Sequence, residues 1–81
     1  MEIRPSALKH GVTGQSIGHA VAYALYADGD FQGTDPPKVL VLGPDTAGNV
    51  LEVVGRFTGD DVFTIFHAMT ARPALLRLLI Q

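Results

Sequence analysis

Where a strand-like run gives way to a helix, "FHAMTARPALL" sets His67 and Arg72 on either side of a corner. Histidine is the side chain whose charge changes near neutral pH, and arginine carries a planar fork that fits the oxygens of a carboxylate or a phosphate. Together they could move a proton beside an anion. The preceding run "NVLEVVGRF" adds Glu52 and Arg56. Side chains alternate along a strand, so residues 50, 52, 54 and 56 share a face.

If "TGDD" is the whole connection to "VFTIFHAM", Phe57 pairs with Val62 and Glu52 stands directly opposite His67. One face of the hairpin then holds Val50, Glu52, Val54, Arg56, Phe63, Ile65, His67 and Met69. The other holds Leu51, Val53, Gly55, Phe57, Val62, Thr64, Phe66 and Ala68, and suits a covering of helices. An acid beside an imidazole favours the charged form of both, which fits an orienting carboxylate and a proton-shuttling histidine. A slip of one residue would undo the pair. The plainer alternative is a surface Glu52–Arg56 ion pair, worth on the order of 0–1 kcal/mol, with His67 bonded to a backbone carbonyl. Arg72 precedes Pro73 at a helix start, where an arginine gains nothing from the helix dipole, so a site role is expected of it rather than a structural one.

The other candidate groups are weaker. His10 closes a short first helix, whose negative end is reason enough for it. His19 lies within a helical stretch and reads as a surface or edge residue. No two histidines have the i, i+4 spacing of a helical zinc site, and there is no cysteine, so neither a metal nor any other cofactor is expected. "GVTGQSIG" lacks the preceding strand that a phosphate loop requires. Ser6 or Ser16 could supply a nucleophile, but no nucleophile-elbow sequence supports a Ser-His-Asp triad.

These groups must be positioned by one small domain spanning residues 1–81. Hydrophobic residues make up 47% of the chain and charged ones 17%, as in folded globular proteins. The net charge of −2 excludes a broad basic footprint for nucleic acid, though not a local positive site. The opening "MEIRPSALKHG" has no apolar h-region, and no apolar run approaches bilayer length, so neither a secretory signal nor a membrane partner is expected.

Pro5 can open a short helix through Lys9 and His10, with Gly11 as its stop. Thr13 is a suitable N-cap for a second helix, which pattern alone runs to about Ala27. "VAYALYA" also tolerates a strand. "DGDFQGTDPP" is a loop by composition, "KVLVLG" a strand and "GPDTAGN" a turn. Pro73 opens a last helix with Leu75, Leu78 and Leu79 as its apolar stripe. The order predicts an α+β fold, with N-terminal helices, a sheet of three or four antiparallel strands and a C-terminal helix, the helices covering one sheet face. A chain this short can hide only part of its apolar area, leaving Tyr23, Tyr26 and the leucine-rich last helix to a partner or to self-association.

With "KHGV", "VLVLGPDTAGNVLEVV" and "HAMTARPALLRLL" in this order, the chain resembles the BrnT-like toxins of bacterial type II toxin–antitoxin systems, within the RelE/ParE superfamily. The resemblance covers most of the chain by order and spacing and implies a RelE-like fold. It also implies a cytoplasmic, metal-independent endoribonuclease that cleaves RNA and inhibits translation. Its partners would be a cognate antitoxin, the RNA substrate and operator DNA reached through the antitoxin, with homo-oligomers as a further option. Lys9 and His10 match the family's early basic–His segment, Arg56 a late basic position in the central strand, and Arg72 the corner arginine. His67 stands where many relatives carry an aliphatic residue. The implied roles are His67 or Glu52 as base, His10 as acid, Arg56 and Arg72 as phosphate clamp, and Lys9 as a substrate contact. Two departures stand out: "MEIRP" leaves little room for the first strand of the family, and the acidic balance is unusual for a ribosome-directed ribonuclease. The alternative is a relative that has lost catalysis and keeps only its antitoxin-binding surface.

Overall fold

The computed structural model describes residues 1–80. Five strands, β1 (Glu2–Ile3), β2 (Tyr26–Phe31), β3 (Lys38–Pro44), β4 (Val50–Thr58) and β5 (Val62–Thr70), form one sheet in the order β1-β5-β4-β3-β2. Strands β2 to β5 make an antiparallel meander, whereas β1 runs parallel to β5. A 3-10 turn at Pro5–Leu8 and helix α1 (Gly14–Ala22) lie between β1 and β2, and helix α2 (Pro73–Leu76) runs into a second 3-10 turn at Arg77–Ile80. The fold is α+β as expected. The sheet is mixed and five-stranded rather than three or four antiparallel strands, and only one of the N-terminal segments is an α-helix. Two residues of β1 are too short to show any periodicity. They are seated by the Arg4 N–H, which donates to the Ile65 carbonyl at 2.8 Å.

Helix α1 starts where Thr13 accepts a side-chain bond from the Ser16 N–H. It stops at Ala22 because the next turn is claimed by the sheet: the Leu25 N–H donates to the Leu42 carbonyl at 2.8 Å. Thus "VAYALYA" divides between helix and strand. The Asp28–Phe31 part of the expected loop belongs to β2, an edge strand with a register shift between those two residues.

"KVLVLG" is apolar on both sides, as a strand buried on both faces must be. On one face Val41, Leu51, Val53, Ile65 and Ala68 meet Ile17 and Ala20 of α1. Gly43 permits that approach, since a Cβ there would run into the Ala20 carbonyl. On the other face Leu40, Leu42 and Val54 meet Ala71, with Leu75, Leu78 and Leu79 packed against them. The helices therefore cover both faces, not one. Among the described residues no helix is long and apolar enough to cross a membrane.

The β4–β5 hairpin departs from its expected register. Thr58 pairs with Val62, so the connection is the three residues 59–61, with Asp61 in the left-handed region at φ 63°. Phe57 then pairs with Phe63, and Phe63 and Ile65 turn to the α1 face. A second irregularity follows. Gly55 pairs with Ile65 but Val54 pairs with His67, leaving Phe66 as a bulge. A bulge adds one residue to one strand and so restores the parity that the shorter loop had inverted. Glu52 opposes Met69 rather than His67.

Candidate functional site

The bulge decides which side chains converge. Because Phe66 is the extra residue, both Phe66 and His67 lie on the face that carries Glu52, Val54 and Arg56. Gly55 makes room for it: a Cβ there would lie 2.5 Å from the Thr64 carbonyl oxygen and 2.8 Å from the Phe63 ring. The Phe66 carbonyl, at the bulge, accepts a bond from the Ser6 hydroxyl at 2.8 Å. That bond ties the first 3-10 turn to β5. It brings the following Lys9 and His10 alongside, where the His10 and His67 rings meet edge to face with centroids 5.6 Å apart.

Beneath them sits Glu52, which is fully buried. Its Oε1 accepts from the Arg72 backbone N–H at 3.0 Å and from Arg72 Nε at 2.9 Å. Its Oε2 accepts from Arg72 Nη2 at 2.8 Å and from His67 Nε2 at 2.9 Å. Four bonds saturate a carboxylate. Burial pushes its pKa up, but the bonds from the Arg72 side chain, the Arg72 backbone and His67 outweigh that, and it falls from 4.5 to about 2. Glu52 therefore stays ionised and has no lone pair left for a substrate proton.

Two roles change in consequence. Arg72 has a structural role after all: the edge of its guanidinium that could have gripped a phosphate in two places is spent on Glu52. Its side chain is still 60% exposed, so Nη1 remains available to a ligand. His67 becomes an oriented group. A carboxylate only accepts, so Nε2 carries the proton in this pair and Nδ1 is the nitrogen left to exchange one.

An open pocket of about 300 Å³ lies over this corner, crossing the sheet from Phe66 and His67 on β5, over Val54 on β4, to Lys38 on β3 and Phe31 on β2. Lys9, Arg72 and Gln32 complete its lining. Three of the chain's six Lys and Arg residues face it, with no acid among the lining residues, although the whole chain is net acidic. Of the expected site residues, Lys9, His67 and Arg72 line the pocket, His10 touches it through His67, and Glu52 supports it from below. Arg56 does not line it. Its guanidinium stacks on the Phe66 ring at 5.0 Å, and its buried Nε has no hydrogen-bond partner among the described residues.

Phe31, Gln32, Lys38 and Phe66 were not marked by sequence pattern. Lys38 and Gln32 read as a strand start and a loop, and only the meander brings them to β5. His19 lies elsewhere, its Nδ1 2.8 Å from the Pro44 carbonyl oxygen and its ring against Tyr23. Among the described residues no group of three or more His, Cys, Asp or Glu side chains converges as metal ligands would.

No family model matches the chain, and no curated protein or solved structure is significantly similar to it.

Proposed function

We propose that the pocket is the active site of a RelE/ParE-type toxin, an endoribonuclease that cuts RNA in the cytoplasm and is held in check by a cognate antitoxin. The observation that carries this reading is a cationic pocket with no acid in its lining, at whose edge His67, oriented by a buried carboxylate, meets the ring of His10. Neutral Nδ1 of His67 takes the proton of a ribose 2′-hydroxyl. The 2′-oxygen attacks the adjacent phosphorus, and protonated His10 delivers a proton to the departing 5′-oxygen. The products are a 2′,3′-cyclic phosphate and a 5′-hydroxyl end. Lys9, Lys38 and the free Nη1 of Arg72 offset the negative charge that builds on the phosphorane. Glu52 takes no proton in this scheme and acts by holding His67 and Arg72. Arg56 supports the Phe66 wall.

A second reading, a binding module without catalysis, is favoured by exposed apolar groups: Tyr23 is 63% and Leu25 61% exposed beside edge strand β2. Inducible expression in a bacterial host separates the two. Wild type should arrest growth and translation and generate RNA ends with 5′-hydroxyls, while folded His67→Ala and His10→Ala variants should do neither. Variants as toxic as wild type, or a harmless wild type, would refute the catalytic reading.

A further inference from the structure

We infer that Ser6 is a positioning residue for the cleavage step: its hydroxyl engages the bulge in β5 and so sets His10, the acid, against His67, the base. This rests on the ribonuclease reading and deepens it, because Ser6 does not itself line the pocket.

Three observations lead there. First, the Ile65 carbonyl accepts the Arg4 N–H at 2.8 Å, and the next carbonyl, that of Phe66, accepts the Ser6 hydroxyl at 2.8 Å. In a regular strand successive carbonyls point to opposite edges, so one neighbouring segment cannot use two in a row. The extra residue at Phe66 interrupts that alternation and turns its carbonyl to the same edge. The Ser6 bond therefore belongs to the bulge that puts His67 on the face of Glu52.

Second, the segment that carries His10 is short. Lys9 and His10 follow a 3-10 turn of four residues, Pro5–Leu8, and are exposed. The chain then reverses at Gly11, with φ 83° and its N–H on the Leu8 carbonyl at 3.2 Å. Ala7 is buried in the core on the α1 side. Burying a methyl fixes where the turn sits but is non-directional, whereas a hydrogen bond also fixes how it is angled.

Third, the two imidazoles are placed by different means. His67 is held by Glu52 through Nε2. His10 reaches the His67 ring, at an interplanar angle of 74°, from a segment tied to β5 by Ser6. One hydrogen bond thus couples the strand bearing the base to the turn bearing the acid.

Two substrates test this: a short RNA, and a ribonucleoside 3′-(4-nitrophenyl) phosphodiester. In both, the 2′-oxygen gives its proton to His67 and attacks phosphorus. From the aryl ester, nitrophenolate then leaves with the bonding electron pair and needs no proton, so the acid is dispensable. Ser6→Ala should slow RNA cleavage on the order of tenfold, the scale of one lost hydrogen bond acting on alignment. It should keep most of its rate on the aryl ester, since Lys38 and Arg72 come from other elements. Ser6→Thr keeps the hydroxyl and should restore RNA cleavage. His10→Ala should show the same selectivity with a larger loss, roughly two orders of magnitude on RNA, and His67→Ala should lose both substrates. NMR contacts between the His10 and His67 rings should weaken in Ser6→Ala and persist in Ser6→Thr, an observation independent of activity. Wild-type rates in Ser6→Ala, equal slowing on the two substrates, or unchanged ring contacts would overturn the role of Ser6 and leave the cleavage reading standing. Wild type that cleaves neither substrate would overturn both.

Discussion

The carboxylate of Glu52 and the imidazole of His67 meet at 2.9 Å although the two residues are not cross-strand partners. Met69 opposes Glu52 and Val54 opposes His67, so the bond runs diagonally across the ladder. Diagonal neighbours are farther apart than direct ones, and only long side chains close the gap. Arg72 then takes up the remaining capacity of the carboxylate from the start of α2. The strand end and the helix start are thereby tied to a single buried charge.

That charge predicts an acid-sensitive fold. The pKa of Glu52 is depressed from 4.5 to about 2, so its contribution is fully present above pH 4.5 and is lost as pH falls towards 2. Denaturant melts across that window should show stability dropping with acid. Glu52→Gln should be less stable at neutral pH and should show a shallower loss. A wild type whose stability is flat between those limits would mean that the carboxylate is not held ionised.

Arg72→Ala should destabilise the corner as well as the chemistry. It removes both guanidinium bonds to a carboxylate that Arg72 helps to keep buried. Arg72→Lys should recover only part of the loss, since an ammonium cannot make two parallel bonds. Thermal melts of the three proteins, run together, would show the order wild type, Lys, Ala. Equal melting temperatures would return Arg72 to a purely functional role.

Gly55→Ala should break the site from a distance. The new Cβ meets backbone at Thr64 and the Phe63 ring, at an overpacking cost of about 1–3 kcal/mol. Relief comes from losing the bulge, which would swing His67 away from Glu52. The His10 and His67 ring signals in NMR spectra should shift, and RNA cleavage should fall even where the chain remains folded. Unchanged ring signals would show that the bulge tolerates the methyl.

His67→Ala should lower cleavage by roughly two to four orders of magnitude, as expected for removal of a general base. Its effect on stability should be smaller than that of Arg72→Ala, because Glu52 keeps its three Arg72 bonds. Single-turnover cleavage of a short RNA beside a thermal melt gives both numbers.

Tyr23→Ser with Leu25→Ser should raise solubility without changing the fold, since both side chains are more than half exposed. Sedimentation of wild type and the double variant at rising concentration would show whether this patch drives self-association.

Local signals in the sequence carried the elements. Thr13 before α1, Pro73 opening α2 and the β-branched apolar runs "KVLVLG" and "NVLEVVGRF" act over a few residues and need no tertiary context. The turn at Asp45 is of the same kind, its Oδ1 accepting from the Ala47 and Asn49 N–H groups. The pairing of Glu52 with His67 was also legible, though by a register that does not occur. A loop one residue shorter would have turned His67 to the other face, and the bulge at Phe66 turned it back. A bulge is the outcome of competing packing on the two sheet faces, here a glycine opposite it, the Ser6 hydroxyl on its carbonyl and Arg56 over its ring. None of those neighbours is close in sequence to all the others. The burial of Glu52 and the capture of Arg72 depend likewise on α2 folding back over the second sheet face. The sequence by itself determined strands β3, β4 and β5, the caps and the residues able to do chemistry, because those follow from short-range sterics and side-chain type. Only the tertiary structure decided which of them share a pocket, because that depends on long-range register, where one residue more or less reverses every side chain.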